Sequence, residues 1–162
     1  MTRVVLVLVC VAVVALALWG MRAGWRNRMT RQATLPRLPV PPDELGAEQI
    51  RVSGLYVGTT FSSSWQDRVV HDGLGPRADA DAVVYPSGTV IERAGAAPVF
   101  IPAAQIVMAR LAPGLAGKVT GAGGLLVVRW LLGDVELDTA FRADDKTAYQ
   151  QILATINREV RS

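Results

Sequence analysis

The only histidine, His71, stands beside Asp72 and shortly before Asp79 and Asp81, and these four groups could gather a divalent ion because hard cations favour carboxylate oxygen. Their spacing matches no metal loop and no glutamate stands at a bidentate closing position, so no metal is expected. Ser62, Ser63 and Ser64 offer hydroxyls for hydrolysis, which also needs a base, an orienting group and a strained nucleophile elbow; one histidine and no G-x-S-x-G do not make that set. Glu136 and Asp138, two apart on a strand, could pair for acid and base work, but on an outer strand they read as its wet side. Gly121-Ala122-Gly123-Gly124 runs into a strand-like segment instead of opening a helix, so it reads as a turn and not as a phosphate cradle. No catalytic residue, cofactor or small-molecule substrate is expected from these patterns.

The elements that would position such groups begin with charge and hydropathy. The chain has 162 residues, a net charge of +3, 51% hydrophobic residues and a mean hydropathy of +0.29. Much of that hydropathy sits in Val4 to Met21, where 18 residues pass without a charge. Arg22, Arg26, Arg28, Arg31 and Arg37 then follow without an acid, whereas Ile50 to Ser162 holds eleven basic and eleven acidic residues. A nucleic-acid footprint therefore finds no basic face in the folded part. Cys10 is the only cysteine, which excludes a disulfide scaffold and a multi-cysteine zinc site within one chain.

As a helix the apolar run is about 27 Å long, close to the ~30 Å hydrocarbon thickness of a bilayer, and it is expected to be a transmembrane anchor. Trp19, Arg22, Trp25, Arg26, Arg28 and Arg31 are then the expected membrane-interface residues. The arginines after the run place the C-terminal domain in the cytoplasm and the N-terminus outside. The competing expectation is a cleaved secretory signal ending near Ala15-Leu16-Ala17, which would make a secreted or periplasm-facing binding domain; an arginine cluster is the wrong flank for export.

Pro36 to Pro42 hold four prolines and read as an extended spacer. Beyond Gln49 the period falls to two. Ile50, Val52, Leu55 and Val57 predict a strand with a slip at Ser53-Gly54, and Arg68 to His71 a second. Pro86-Ser87-Gly88 and Gly133-Asp134 each predict a hairpin turn, Val99 to Ile101 a short strand, and Ala103 to Leu111 either a helical turn or a strand. Asp144 or Asp145 caps a last helix whose stripe is Tyr149, Ile152, Leu153, Ile156 and Val160. Phe61 and Trp65 lie in a polar loop, where they either tuck into the core or form an exposed partner contact.

Gly123-Gly124-Leu125-Leu126-Val127-Val128-Arg129-Trp130 and Phe141-Arg142-Ala143-Asp144-Asp145, with the apolar run and the spacer, resemble a family of actinobacterial single-pass membrane proteins carrying a bacterial pleckstrin-homology-like domain, some labelled export or transporter proteins. The resemblance implies a non-catalytic interaction module. In the eukaryotic relatives phosphoinositide binding depends on cations in the first hairpin loop, and Gly58 to Trp65 has none, so lipid-headgroup recognition does not carry over. One span encloses no transport path. The expected fold class is α+β, mainly β: a transmembrane helix, then a small split barrel or bent antiparallel sheet closed by a C-terminal amphipathic helix. The expected organisation is an anchor with flanks at 1–25, a basic proline-rich linker at 26–48 and the PH-like domain at 49–162. The expected function is a membrane-tethered module that binds a protein partner at the cytoplasmic face, with membrane-lipid recognition as an alternative.

Overall fold

The structure is a computed structural model that describes residues 10–22, 35–115, 118–119 and 124–159. The chain divides into two compact units, Met1–Thr34 and Leu35–Ser162. In the first, helix α1 covers residues 10–22. Its large apolar side chains, from Val11 to Met21, are exposed, and Trp19 is 71% exposed. Among the described residues no helix is long and apolar enough to cross a membrane. This overturns the expected transmembrane helix in the fold class and, with it, the single-pass localisation. Trp19 and Arg22 lie on α1, whereas Trp25, Arg26, Arg28 and Arg31 fall outside the described residues.

Among its described residues the second unit is a mainly β open sheet with one small helix, so that of the two expected forms, a split barrel or a bent antiparallel sheet, the barrel is corrected. Its strands are β1 (Ile50–Phe61), β2 (Ser64–Arg68), β3 (Ala78–Tyr85), β4 (Gly88–Arg93), β5 (Val99–Pro102), β6 (Ile106–Ala112), β7 (Gly114–Leu115), β8 (Lys118–Val119), β9 (Leu125–Leu132) and β10 (Val135–Ala143), followed by helix α2 (Ala148–Glu159). The main sheet runs β5-β4-β3-β1-β10-β9-β6, with β2 paired to β1, while β7 and β8 form a separate ribbon. All pairings are antiparallel. The path leaves β5 and β6 as edges.

β1 bends the sheet, because its first half pairs with β3 and its second half with β10. Gly54 sits where both pairings overlap, and a side chain there would strike the Arg142 carbonyl. The irregularity expected at Ser53-Gly54 lies three residues on, between Tyr56 and Gly58. Both hairpins form at the expected turns, with Tyr85 opposite Gly88 and Leu132 opposite Val135. The second strand lies earlier than expected, at Ser64–Arg68, and His71–Gly73 is a single 3₁₀ turn. Ala103 to Leu111 divides between both expectations: a 3₁₀ turn at Ala103–Gln105, then β6.

The main core gathers around Tyr56, Val84, Ile101, Leu126, Trp130, Leu137 and Phe141. Tyr149, Ile152 and Ile156 of α2 are buried in it and Leu153 packs at its margin; Val160 falls outside the described residues. Asp145 serves as the cap, its Oδ1 accepting the Thr147 backbone N–H at 2.9 Å and the hydroxyl at 2.7 Å. These bonds, the hydroxyl first, hold its carboxyl below the usual range. Leu35 is buried in the same core, and Leu38 packs against it while donating its N–H to Asp72 Oδ2 at 3.1 Å.

One line of polar groups crosses this apolar interior. Trp130 Nε1 donates to Thr139 Oγ1 at 2.9 Å, Thr139 and Thr59 bond at 2.9 Å, Thr59 and Tyr56 at 2.9 Å, and the Tyr56 hydroxyl donates to the Leu74 carbonyl at 2.7 Å. Tyr56 has one proton, spent on Leu74, so Thr59 must donate to Tyr56 and Thr139 to Thr59. Each hydroxyl thus gives once and receives once, the arrangement in which neighbouring bonds polarise one another. Burial pushes the Tyr56 hydroxyl pKa up. Thr139→Val keeps the shape but orphans the indole N–H, and a buried orphan costs about 1–3 kcal/mol. Urea unfolding of the full chain should show a loss of that size at an unchanged slope; a midpoint equal to wild type would contradict the chain of bonds.

Candidate functional site

The β1–β2 turn places the two aromatic residues singled out in the sequence. Ser62 ties the turn to β10, its N–H donating to the Glu136 carbonyl at 3.0 Å and its hydroxyl to Glu136 Oε2 at 3.1 Å. Phe61, opposite Leu137, packs against the main core, whereas Trp65 on β2 is 46% exposed. The two therefore divide the alternatives between them: Phe61 anchors the hairpin and Trp65 faces solvent.

Beside this turn, β10 and β9 carry a charge network. The two-residue turn at Gly133-Asp134 sets Arg129 opposite Asp138. Asp138 is buried, with Oδ1 accepting from Arg129 Nε at 2.8 Å and Oδ2 from Arg129 Nη2 and Arg110 Nη2, both at 3.0 Å. That hydrogen bonding raises the Arg129 pKa further. Glu136, exposed, stands 3.9 Å from Arg129. The expected wet side of β10 is thus exposed at Glu136 and Arg142 but buried at Asp138. Ala140 on the same face is buried with Val57, Leu115, Leu125 and Val127, a second small cluster to which β7 contributes Leu115. The network was missed, although counting back from the Gly133-Asp134 turn pairs Arg129 with Asp138.

The remaining sequence candidates do not converge. His71 Nε2 lies 3.4 Å from Asp72 Oδ2, but Asp81 bonds Arg51 at 3.3 Å, in a cluster that Glu48 and Glu92 complete. Glu48 first, then Glu92, hold the Arg51 guanidinium above its ordinary pKa. Among the described residues no three histidine, cysteine or acidic side chains gather as a metal site. Gly121 to Gly123 fall outside the described residues. The hydroxyl of Ser62 is given to Glu136, and both Asp138 oxygens are engaged by guanidinium donors.

The loop beyond β2 is held by its carbonyls. Arg68 donates to Gly75 O at 2.5 Å, Arg93 to Gly73 O at 2.6 Å and to Ala97 O, and Tyr56 to Leu74 O. The Arg93 guanidinium lies 4.9 Å over the Tyr56 ring, a cation–π stack. Asp72, in this loop, takes φ 46, a left-handed conformation stabilised by the surrounding clamp. Removing one partner of a buried charge network strands the others, so Asp138→Asn should cost about 1–3 kcal/mol. Urea denaturation of the full chain measures it; an unchanged midpoint would show that the two arginines do not depend on that carboxylate.

No curated protein matches this chain. A solved structure of Vav1 inhibited by an allosteric inhibitor is similar over 84% of this chain and 32% of that chain, at 12% identity and a TM-score of 0.40. The chain thus spans about a third of the length of that structure. A family profile described as bacterial PH domain-like matches residues 35–157, which takes in the sheet from β1 to β10 and nearly all of α2. On that match, the chain belongs to the bacterial PH domain-like family.

Proposed function

We propose that the Leu35–Ser162 unit is a non-catalytic interaction module that binds a protein partner through the β1–β2 hairpin, with Trp65 as the contact residue. PH-like domains are typical protein- and lipid-binding modules, and the choice between these classes rests on this chain's own surface. The observation that carries it is Trp65, 46% exposed on a hairpin whose neighbour Phe61 is packed against the core. A large aromatic held out on a fixed support suits a protein contact, where such residues supply most of the binding energy.

Charge favours the same class. Residues 35–162 include twelve basic and fourteen acidic residues, a net charge of −2, and the Ser62-Ser63 turn carries no cation. An anionic lipid surface attracts polybasic segments at about 1 kcal/mol per cation, and this unit has no such surplus.

A photocrosslinking amino acid in place of Ser63 in the full chain should trap protein adducts of discrete mass. Trp65→Ser should reduce their yield at least tenfold while leaving the thermal midpoint unchanged within about 2 °C, since changes at exposed positions are nearly neutral. Adducts that consist of lipid alone, or protein adducts indifferent to Trp65→Ser, would contradict the proposal.

A further inference from the structure

Among the described residues β6 ends the sheet, with β9 its only strand neighbour. An edge strand offers unpaired backbone groups and is a template for another chain unless something covers it. At Ala109 the hydrogen-bonding cover is one side chain, carried by helix α2, which packs against β6. Asn157 of α2 accepts the Ala109 N–H on Oδ1 at 3.1 Å and donates from Nδ2 to the Ala109 carbonyl at 3.3 Å. These are the two bonds that an adjacent antiparallel strand would make to the same residue. We propose that the Asn157 amide stands in for a missing strand and guards β6 against pairing with the β6 edge of a second copy of this chain.

The residues of β6 point to that occupant. Val107, Met108 and Leu111 are each 40–42% exposed, apolar side chains on both faces of a strand whose backbone edge is covered at its centre and whose ladder is irregular between Ile106 and Met108. Paired antiparallel about Ala109, β6 is its own complement: Leu111 meets Val107 of the second copy, Arg110 meets Met108, and Ala109 meets Ala109. Apolar cross-strand neighbours favour this register, and the alternative centred on Arg110 sets two like charges opposite each other. Arg110 is also held by Asp138 on its own chain. The guard extends along the edge, because Pro113, beyond β6, has no N–H to offer. This inference uses a different surface from the Trp65 contact and stands apart from it.

The test is sedimentation equilibrium of the full chain over a hundredfold range of concentration. Asn157→Ala, and Asn157→Asp, whose second oxygen faces the Ala109 carbonyl, should both show a concentration-dependent rise in mass, with a dimer dissociation constant at least tenfold below that of wild type. Adding Leu111→Lys to Asn157→Ala should return the mass to the wild-type value. Hydrogen exchange at the Ala109 amide supplies the local readout: at least tenfold faster than wild type in dilute Asn157→Ala, and slowing as its concentration rises. A mass equal to wild type in both variants, or association that Leu111→Lys leaves in place, would overturn the proposal. Loss of the β circular dichroism signal in both variants would overturn it as well, because Asn157 would then hold the fold together instead of guarding its edge.

Discussion

A tyrosine hydroxyl enclosed in an apolar core costs a fold roughly 2–7 kcal/mol unless it is hydrogen-bonded, and Tyr56 is fully buried in the centre of this one. The chain answers with a relay that starts at an indole on β9, passes through a threonine on β10 and a threonine on β1, and leaves at the carbonyl of Leu74. Three neighbouring strands and one irregular loop are thereby set relative to each other by directional bonds inside an otherwise apolar core. Hydrophobic contact alone tolerates small slips, whereas a hydroxyl that must both give and receive does not. The same ring carries the Arg93 guanidinium on its face, and Arg93 in turn holds Gly73. The core, the relay and the loop therefore form one connected arrangement.

The outer face is organised differently. Its buried acid, Asp138, is matched by two guanidinium groups that remain partly exposed, so the charges keep contact with water while the carboxylate is satisfied. Leu115, from the short β7–β8 ribbon, helps bury the neighbouring apolar residues on that side. The apolar side chains left exposed on this unit include Trp65 on the hairpin and Val107, Met108 and Leu111 of β6, beside the Asn157 guard.

Local signals were legible in the sequence. Pro86-Ser87-Gly88 and Gly133-Asp134 carry their turn chemistry in adjacent residues, so both hairpins could be read directly. The Tyr149, Ile152, Ile156 stripe has helical spacing, and Asp145 follows from the need to cap that helix. The Arg129–Asp138 pair was within reach by counting from a two-residue turn. Thr59 and Thr139 were not, since eighty residues separate them and only the sheet order brings them together. Asn157 reads as an ordinary polar position on a helix until β6 is placed beside it. Asp138 was misread as wet because nothing near it in sequence announces Arg110, the second guanidinium that engages it. The apolar N-terminal run invited a bilayer reading by length and hydropathy, whereas among the described residues no helix is long and apolar enough to cross one.

The claim on which the rest depends is that the relay from Trp130 to Leu74 is a fixed part of the native state. Hydrogen exchange of the Trp130 indole N–H in the full chain, followed through its resolved nuclear magnetic resonance signal, tests it directly. If the relay is intact, that proton exchanges only when the sheet unfolds, and its exchange free energy equals that of the most protected amides of β9 and β10 and falls with urea at the global slope. An indole proton that exchanges far faster than those amides, with no dependence on urea, would show that the relay opens on its own and that apolar packing alone positions these strands.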